Sequence, residues 1–224
     1  MHRFVWNLIW DSSGGPSADE DSEYQNPSGP KAVPGTYEVR LTVDGKVHNQ
    51  SLKIIMDPRS PATAEVLTRQ LELGRQIFGE TLEARRALAE ISSVQKKLAD
   101  VDRKLDQKPE PKLERRKLET QDGQLKLAVE KAQAALVKIL TSRENDGGGM
   151  AGLTDANVAL ASALRVVESG DREVPAQAIA VFQEASQQVK TRIVEWTQFK
   201  QTVLSPLNEE LRKSNLAPIA IGGI

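Results

Sequence analysis

Histidine is the side chain best matched to acid–base chemistry near neutral pH, and this sequence has two, His2 and His48. His2 stands at the N-terminus and His48 beside Asn49 and Gln50, with no serine or acid at a recognisable motif spacing from either. Both read as exposed histidines rather than catalytic bases. Cysteine is absent, which excludes thiolate nucleophiles, disulfides and cysteine-based zinc sites. Carboxylates are plentiful, but they mix with cations at helical spacing, as in Glu80, Glu83, Arg85 and Arg86, or Asp100, Asp102, Arg103 and Lys104. Such groups decorate solvated helix faces. A glycosidase-type hydrolase would need two carboxylates converging in a cleft, and long helices offer no obvious cleft. No catalytic residue, cofactor site or metal site is therefore expected, and the chain is not expected to be an enzyme.

The basic cluster Lys112, Arg115, Arg116 and Lys117 is interleaved with Glu110, Glu114 and Glu119 and has no neighbouring aromatic residue on which a base could stack. With 30 basic against 31 acidic residues, no global field would gather nucleic acid or anionic lipid. The run Gly147–Gly149 lacks the preceding strand and following Lys-Ser/Thr of a phosphate loop, and reads as a hinge. Trp196, at helical spacing among apolar residues, reads as core. Phe4, Trp6 and Trp10 fall on one side of a short alternating segment and are the residues best suited to binding another protein.

These residues must be placed by elements of two different periods. Residues 1–58 read as β: a strand over 3–10, a polar Gly/Pro/Ser-rich loop over 11–35, a strand over 37–43, and a return strand over 47–56. Asp44-Gly45 between the last two favours a type I′ turn, because both positions need positive φ. Asp57-Pro58 ends the β segment, since proline cannot donate to a ladder. From Pro61 the period becomes helical. Ile91, Val94, Leu98, Val101 and Leu105 step by three and four, a heptad seam on a helix over 62–107. Pro109 and Pro111 break it. Leu118, Leu125, Val129, Ala132, Leu136 and Ile139 resume the seam over 112–144, so 62–144 reads as an antiparallel helical hairpin. A second pair covers 154–214: a helix capped by Thr154 and carrying Val158, Leu164 and Val167, then one from Pro175 carrying Phe182, Val189, Ile193, Trp196, Val203, Leu207 and Leu211. Pro206 should kink that last helix. Only 4% of residues are aromatic, so the core must rest on Leu, Val, Ile and Ala.

The expected fold is thus mixed and mostly α: a partial Ig-like antiparallel β segment over 1–58, then an elongated antiparallel helical bundle over 59–224. Three strands are too few for a sandwich of about seven, so the Phe4, Trp6 and Trp10 face is left without a facing sheet. No run of about 18 apolar residues is present, so no membrane span is expected. The opening Met1–Asp11 stretch is too short for a signal peptide and lacks a small-residue cleavage site.

Three stretches in order, His2–Leu8, Val33–Lys46 (VPGTYEVRLTVDGK) and Leu204–Lys213 (LSPLNEELRK), resemble the C-terminal region of bacterial sortilin-like BNR-repeat propeller proteins, often labelled glycosyl hydrolases. The middle stretch is also similar to the Ig-like module of flagellar hook-capping proteins. The resemblance implies an accessory, non-catalytic module attached to a β-propeller and to further Ig-like strands, in the same or a separate chain. It also implies a periplasmic or secreted setting. No residue matches a catalytic motif of the family. Self-association through the uncovered β edge, or a free-standing coiled-coil adaptor, are the alternatives that the pattern leaves open.

Overall fold

A computed structural model of the chain describes residues 5–10, 29–107, 121–141 and 151–221. The fold is mixed and mostly α, with a two-stranded antiparallel sheet and four helical segments among the described residues, the last interrupted. The chain divides into two compact units, residues 1–81 with 160–183 and residues 82–159 with 184–224.

In the first unit, β1 (Gly35–Val43) pairs antiparallel with β2 (Lys46–Ile54), in a register from Gly35 opposite Ile54 to Val43 opposite Lys46. The turn has the expected form, with φ of 49° at Asp44 and 77° at Gly45. The segment expected as a strand over 3–10 differs. Leu8 has φ of 63°, and among the described residues the segment makes one isolated bridge, Ile9 to Lys31. A left-handed residue reverses the side-chain alternation on which a ladder depends, so alternation across so short a run misleads. Helix α1 (Ala64–Asp106) begins here. Thr63 caps it: its Oγ1 accepts from the Val66 N–H at 3.3 Å and its carbonyl from the Leu67 N–H at 3.1 Å.

In the second unit the heptad seam is the core. Ile91, Val94, Leu98, Val101 and Leu105 of α1 are buried, as are Leu125, Val129, Ala132, Leu136 and Ile139 of α2 (Gln121–Leu140). The break at Pro109 and Pro111, and Leu118, lie outside the described residues. Asp106 and Lys126 form an ion pair where α2 begins. Helix α3 (Leu153–Val167) starts at Leu153, so Thr154 lies in its first turn rather than capping it. Gly152 precedes it, and a Cβ there would overlap the backbone of Leu140 and Thr141. Leu153, Ala156, Leu160, Ala163, Leu164 and Val167 are buried on this helix, whereas Val158 is exposed.

Helix α4 (Ala176–Phe199) runs into a π-helical turn (Lys200–Leu204) and then α5 (Ser205–Lys213). The Ser205 N–H reaches back five residues to the Lys200 carbonyl. The wide turn is how the helix accommodates Pro206, which has no N–H and would crowd an α-helical carbonyl before it. Trp196 is core, as its spacing predicts, at 2% exposure. Its indole N–H donates to Glu90 Oε2 at 2.8 Å, Phe199 stacks on it at 5.5 Å, and the Lys200 ammonium sits 5.2 Å from the ring centroid while donating to the same Glu90 oxygen at 3.3 Å. α5 closes with a Schellman motif: the Leu216 N–H donates to Leu211 O at 2.8 Å, the Asn215 N–H to Arg212 O at 3.1 Å, and Asn215 is left-handed at φ 56°. The Asn208 amide then pins the tail by pairing with both backbone groups of Ile219 at 2.7 and 3.1 Å.

Seam and surface positions should differ sharply. Leu98→Ala, at a fully buried seam position, should cost about 2–5 kcal/mol of unfolding free energy in denaturant titrations. Val137→Ala, half-exposed on α2, should stay within about 0.5 kcal/mol of wild type. Equal effects at the two positions would show that the seam is misassigned.

Candidate functional site

The Trp6 and Trp10 rings meet Tyr37, the half-buried residue of β1. Their centroids lie 5.6 and 6.4 Å from the Tyr37 ring, at interplanar angles of 67° and 65°, edge-to-face contacts that suit the ring quadrupoles. The Trp6 indole N–H donates to Ile9 O at 3.0 Å and the Tyr37 hydroxyl to Val33 O at 2.6 Å. The Arg75 guanidinium of α1 lies 5.4 Å from the Trp10 ring centroid. The structure therefore joins Trp6 and Trp10, two of the three residues expected to dock a partner. Trp6 is half-buried and Trp10 is 38% exposed. Phe4 lies outside the described residues, as does His2.

Segment 29–34 completes this anchor. The Trp10 N–H donates to Pro30 O at 2.8 Å and the Ala32 N–H to Leu8 O at 2.7 Å. The Lys31 backbone N–H donates to Glu168 Oε2 at 2.9 Å, and its ammonium donates to the Glu168 carbonyl at 3.0 Å. Gly74 makes the approach possible: a Cβ there would stand 2.8 Å from Glu168 Oε1 and 2.9 Å from the Pro30 Cβ. Beside it, the Gln70 amide donates to the Val167 and Gly170 carbonyls, satisfying the end of α3. Burial pushes the Glu168 carboxyl above the ordinary carboxylate value, partly opposed by the Lys31 N–H and the Lys31 charge.

Beyond Tyr37 the hairpin is uncovered. Every residue from Glu38 to Lys53 is exposed. Opposed residues of an antiparallel pair share a face, so the register places Tyr37, Val39, Leu41, Val43 and Leu52 together. Of these Val39 is 47%, Leu41 58% and Leu52 38% exposed. Gln50, His48 and Lys46 lie on the same face, opposite Val39, Leu41 and Val43. The other face is polar but for the exposed Val47: Thr36, Glu38, Arg40 and Thr42 opposite Lys53, Ser51, Asn49 and Val47. A shallow recess is lined by Thr36, Tyr37, Glu38, Asn49, Gln50 and Ser51 and holds one carboxylate and no histidine.

The alternation of β1 showed the apolar face, but not that it would be the exposed one. Arg75 and Glu168 were missed, since their role depends on contacts 65 and more residues apart in sequence. Among the described residues, no three His, Cys, Asp or Glu side chains gather as a metal site would require, and no helix is long and apolar enough to cross a membrane. No family model, curated protein or solved structure matches this chain.

Glu168 yields a pH test of the anchor. A carboxyl whose folded value is raised contributes stability that is fully present below its unfolded value and lost as pH rises through the folded one. Wild type should therefore lose a little stability as pH rises from about 4 towards neutrality. Glu168→Gln, which still accepts from the Lys31 N–H, should flatten that step in thermal melts. A variant with the same pH profile as wild type would remove Glu168 from this role.

Proposed function

We propose that this chain is a non-catalytic accessory module that binds another protein through its β-hairpin. The setting proposed is the C-terminal part of a larger extracytoplasmic β-propeller protein. One observation carries the reading: the apolar face of the hairpin is held out from its aromatic anchor with nothing over it among the described residues. A two-stranded hairpin is marginal alone in water, and stability comes with further strands or a covering surface. A contiguous exposed apolar face on a soluble domain usually marks a partner site. Upstream Ig-like strands or the propeller itself, as the VPGTYEVRLTVDGK resemblance suggests, are of the right kind to cover it. The absence of any recognisable nucleophile–base spacing supports the non-catalytic half of the reading.

The free chain should bind a hydrophobic dye, and Val39→Lys with Leu41→Lys should remove most of that signal while helical circular dichroism stays unchanged. Dye binding that is absent, or indifferent to the double change, would overturn the docking face. Purified chain should not turn over a panel of glycosides. Turnover abolished by a single carboxylate change would overturn the non-catalytic reading.

A further inference from the structure

The two edges of the hairpin are chemically different, and one of them is complementary to itself. We infer that β1 pairs antiparallel with the β1 of a second copy of this chain about a two-fold axis at Val39, making a four-stranded sheet. The inference rests on the docking role just proposed for the hairpin, and supplies one of its partners.

The register of the free edge follows from the turn. Val43 and Lys46 are the ends of a two-residue turn, whose carbonyl and N–H close on each other, so they are a hydrogen-bonded pair. Bonded and non-bonded pairs alternate along an antiparallel ladder. Val43, Leu41, Val39 and Tyr37 therefore turn their backbone groups towards β2, and Thr42, Arg40, Glu38 and Thr36 turn theirs outward. Among the described residues these outward groups have no backbone partner.

A two-fold axis at Val39 places Glu38 opposite Arg40 of the second copy and Arg40 opposite its Glu38, each a pair exchanging both backbone bonds. Thr36 and Thr42 meet in the same way. On the apolar face Tyr37 meets Leu41, and Val39 meets Val39 as a non-bonded pair, the kind with the closest side chains. Opposite charges, paired threonines and aromatic–aliphatic pairs are the cross-strand combinations that favour pairing. In the single chain, among the described residues, Glu38 and Arg40 pair with each other at 4.0 Å and are well exposed, so little is given up on pairing. The β2 edge lacks this symmetry. It carries Lys46 and Lys53, and edge lysines discourage pairing. The result has the strand number that a lone hairpin lacks, and it leaves the apolar face free for the partner proposed above.

The test is sedimentation of the full chain over a concentration series. Wild type should show a monomer–dimer equilibrium. Glu38→Arg and Arg40→Glu singly oppose like charges twice across the axis and should each weaken it on the order of tenfold or more. The double change Glu38→Arg/Arg40→Glu restores complementarity and should return the dimer to within a few-fold of wild type. Amide exchange should show the outward N–H groups of Glu38, Arg40 and Thr42 protected in proportion to dimer. Singles that dimerise like wild type, a double that does not recover, or outward amides that stay unprotected in the dimer would overturn the inference. A monomeric wild type would also overturn it, and the dye then separates two failures. Dye binding that still depends on Val39 and Leu41 leaves the docking face standing, whereas a monomer that binds no dye ends both.

Discussion

An apolar stripe with a seven-residue period must be covered, and the helices of this chain are built on that requirement. A helix of 43 residues is not held by propensity alone, because most helical stability in proteins comes from packing one face. Ile91, Val94, Leu98, Val101 and Leu105 supply that face, and Leu125, Val129, Ala132, Leu136 and Ile139 supply a second stripe of the same period. With so few aromatics, the volume of this core comes from aliphatic side chains, whose branched shapes suit interlocking along a seam. The charged residues between them, Glu83, Arg86, Lys96 and Asp100, are left to the solvated side.

Five of the described aromatic residues, Trp6, Trp10, Tyr37, Trp196 and Phe199, cluster where the backbone becomes irregular. Trp196 and Phe199 lie where α4 approaches its irregular π-helical turn, and Glu90 ties both the indole N–H and Lys200 there. Trp6, Trp10 and Tyr37 form the other cluster, where an irregular segment must be held to a hairpin and to α1. Trp196, Trp6 and Tyr37 each place a large apolar body with a polar tip at a junction where backbone geometry is irregular, and their tips find a carboxylate or backbone acceptor.

Legibility in the sequence followed the range of the forces involved. The seam residues, Leu118 outside the described residues apart, and the Asp44-Gly45 turn are local signals, and both are found in the structure. The effect of Pro206 was legible as an irregularity, but not as a π-helical turn, because the choice between kink and wide turn depends on what packs around it. Residues 5–10 were misread as part of a regular strand because alternation reports only the type of side chain, and the left-handed Leu8 is set by its bonds with segment 30–32. The anchor of Lys31 on Glu168, across a sequence separation of 137, has no local signature at all.

Tyr37 is where the hairpin changes character. On its inner side the chain is held by ring contacts, by the Val33 carbonyl and by the Lys31–Glu168 bonds. On its outer side, from Glu38 round the turn to Lys53, every residue is exposed, and among the described residues the strands there pair only with each other. Pairing of two strands recovers one edge's backbone bonds per strand and buries little apolar area, so the outer hairpin gains little of the burial that offsets ordering its backbone. A sequence free of that constraint would place polar residues on both faces. This one keeps Val39, Leu41, Val43 and Leu52 on one face and guards one edge with lysines. That pattern lowers the free energy only when something lies against the face or along the unguarded edge. The hairpin is thus held at its base by aromatic contacts within the chain, while its composition is that of a surface completed from outside.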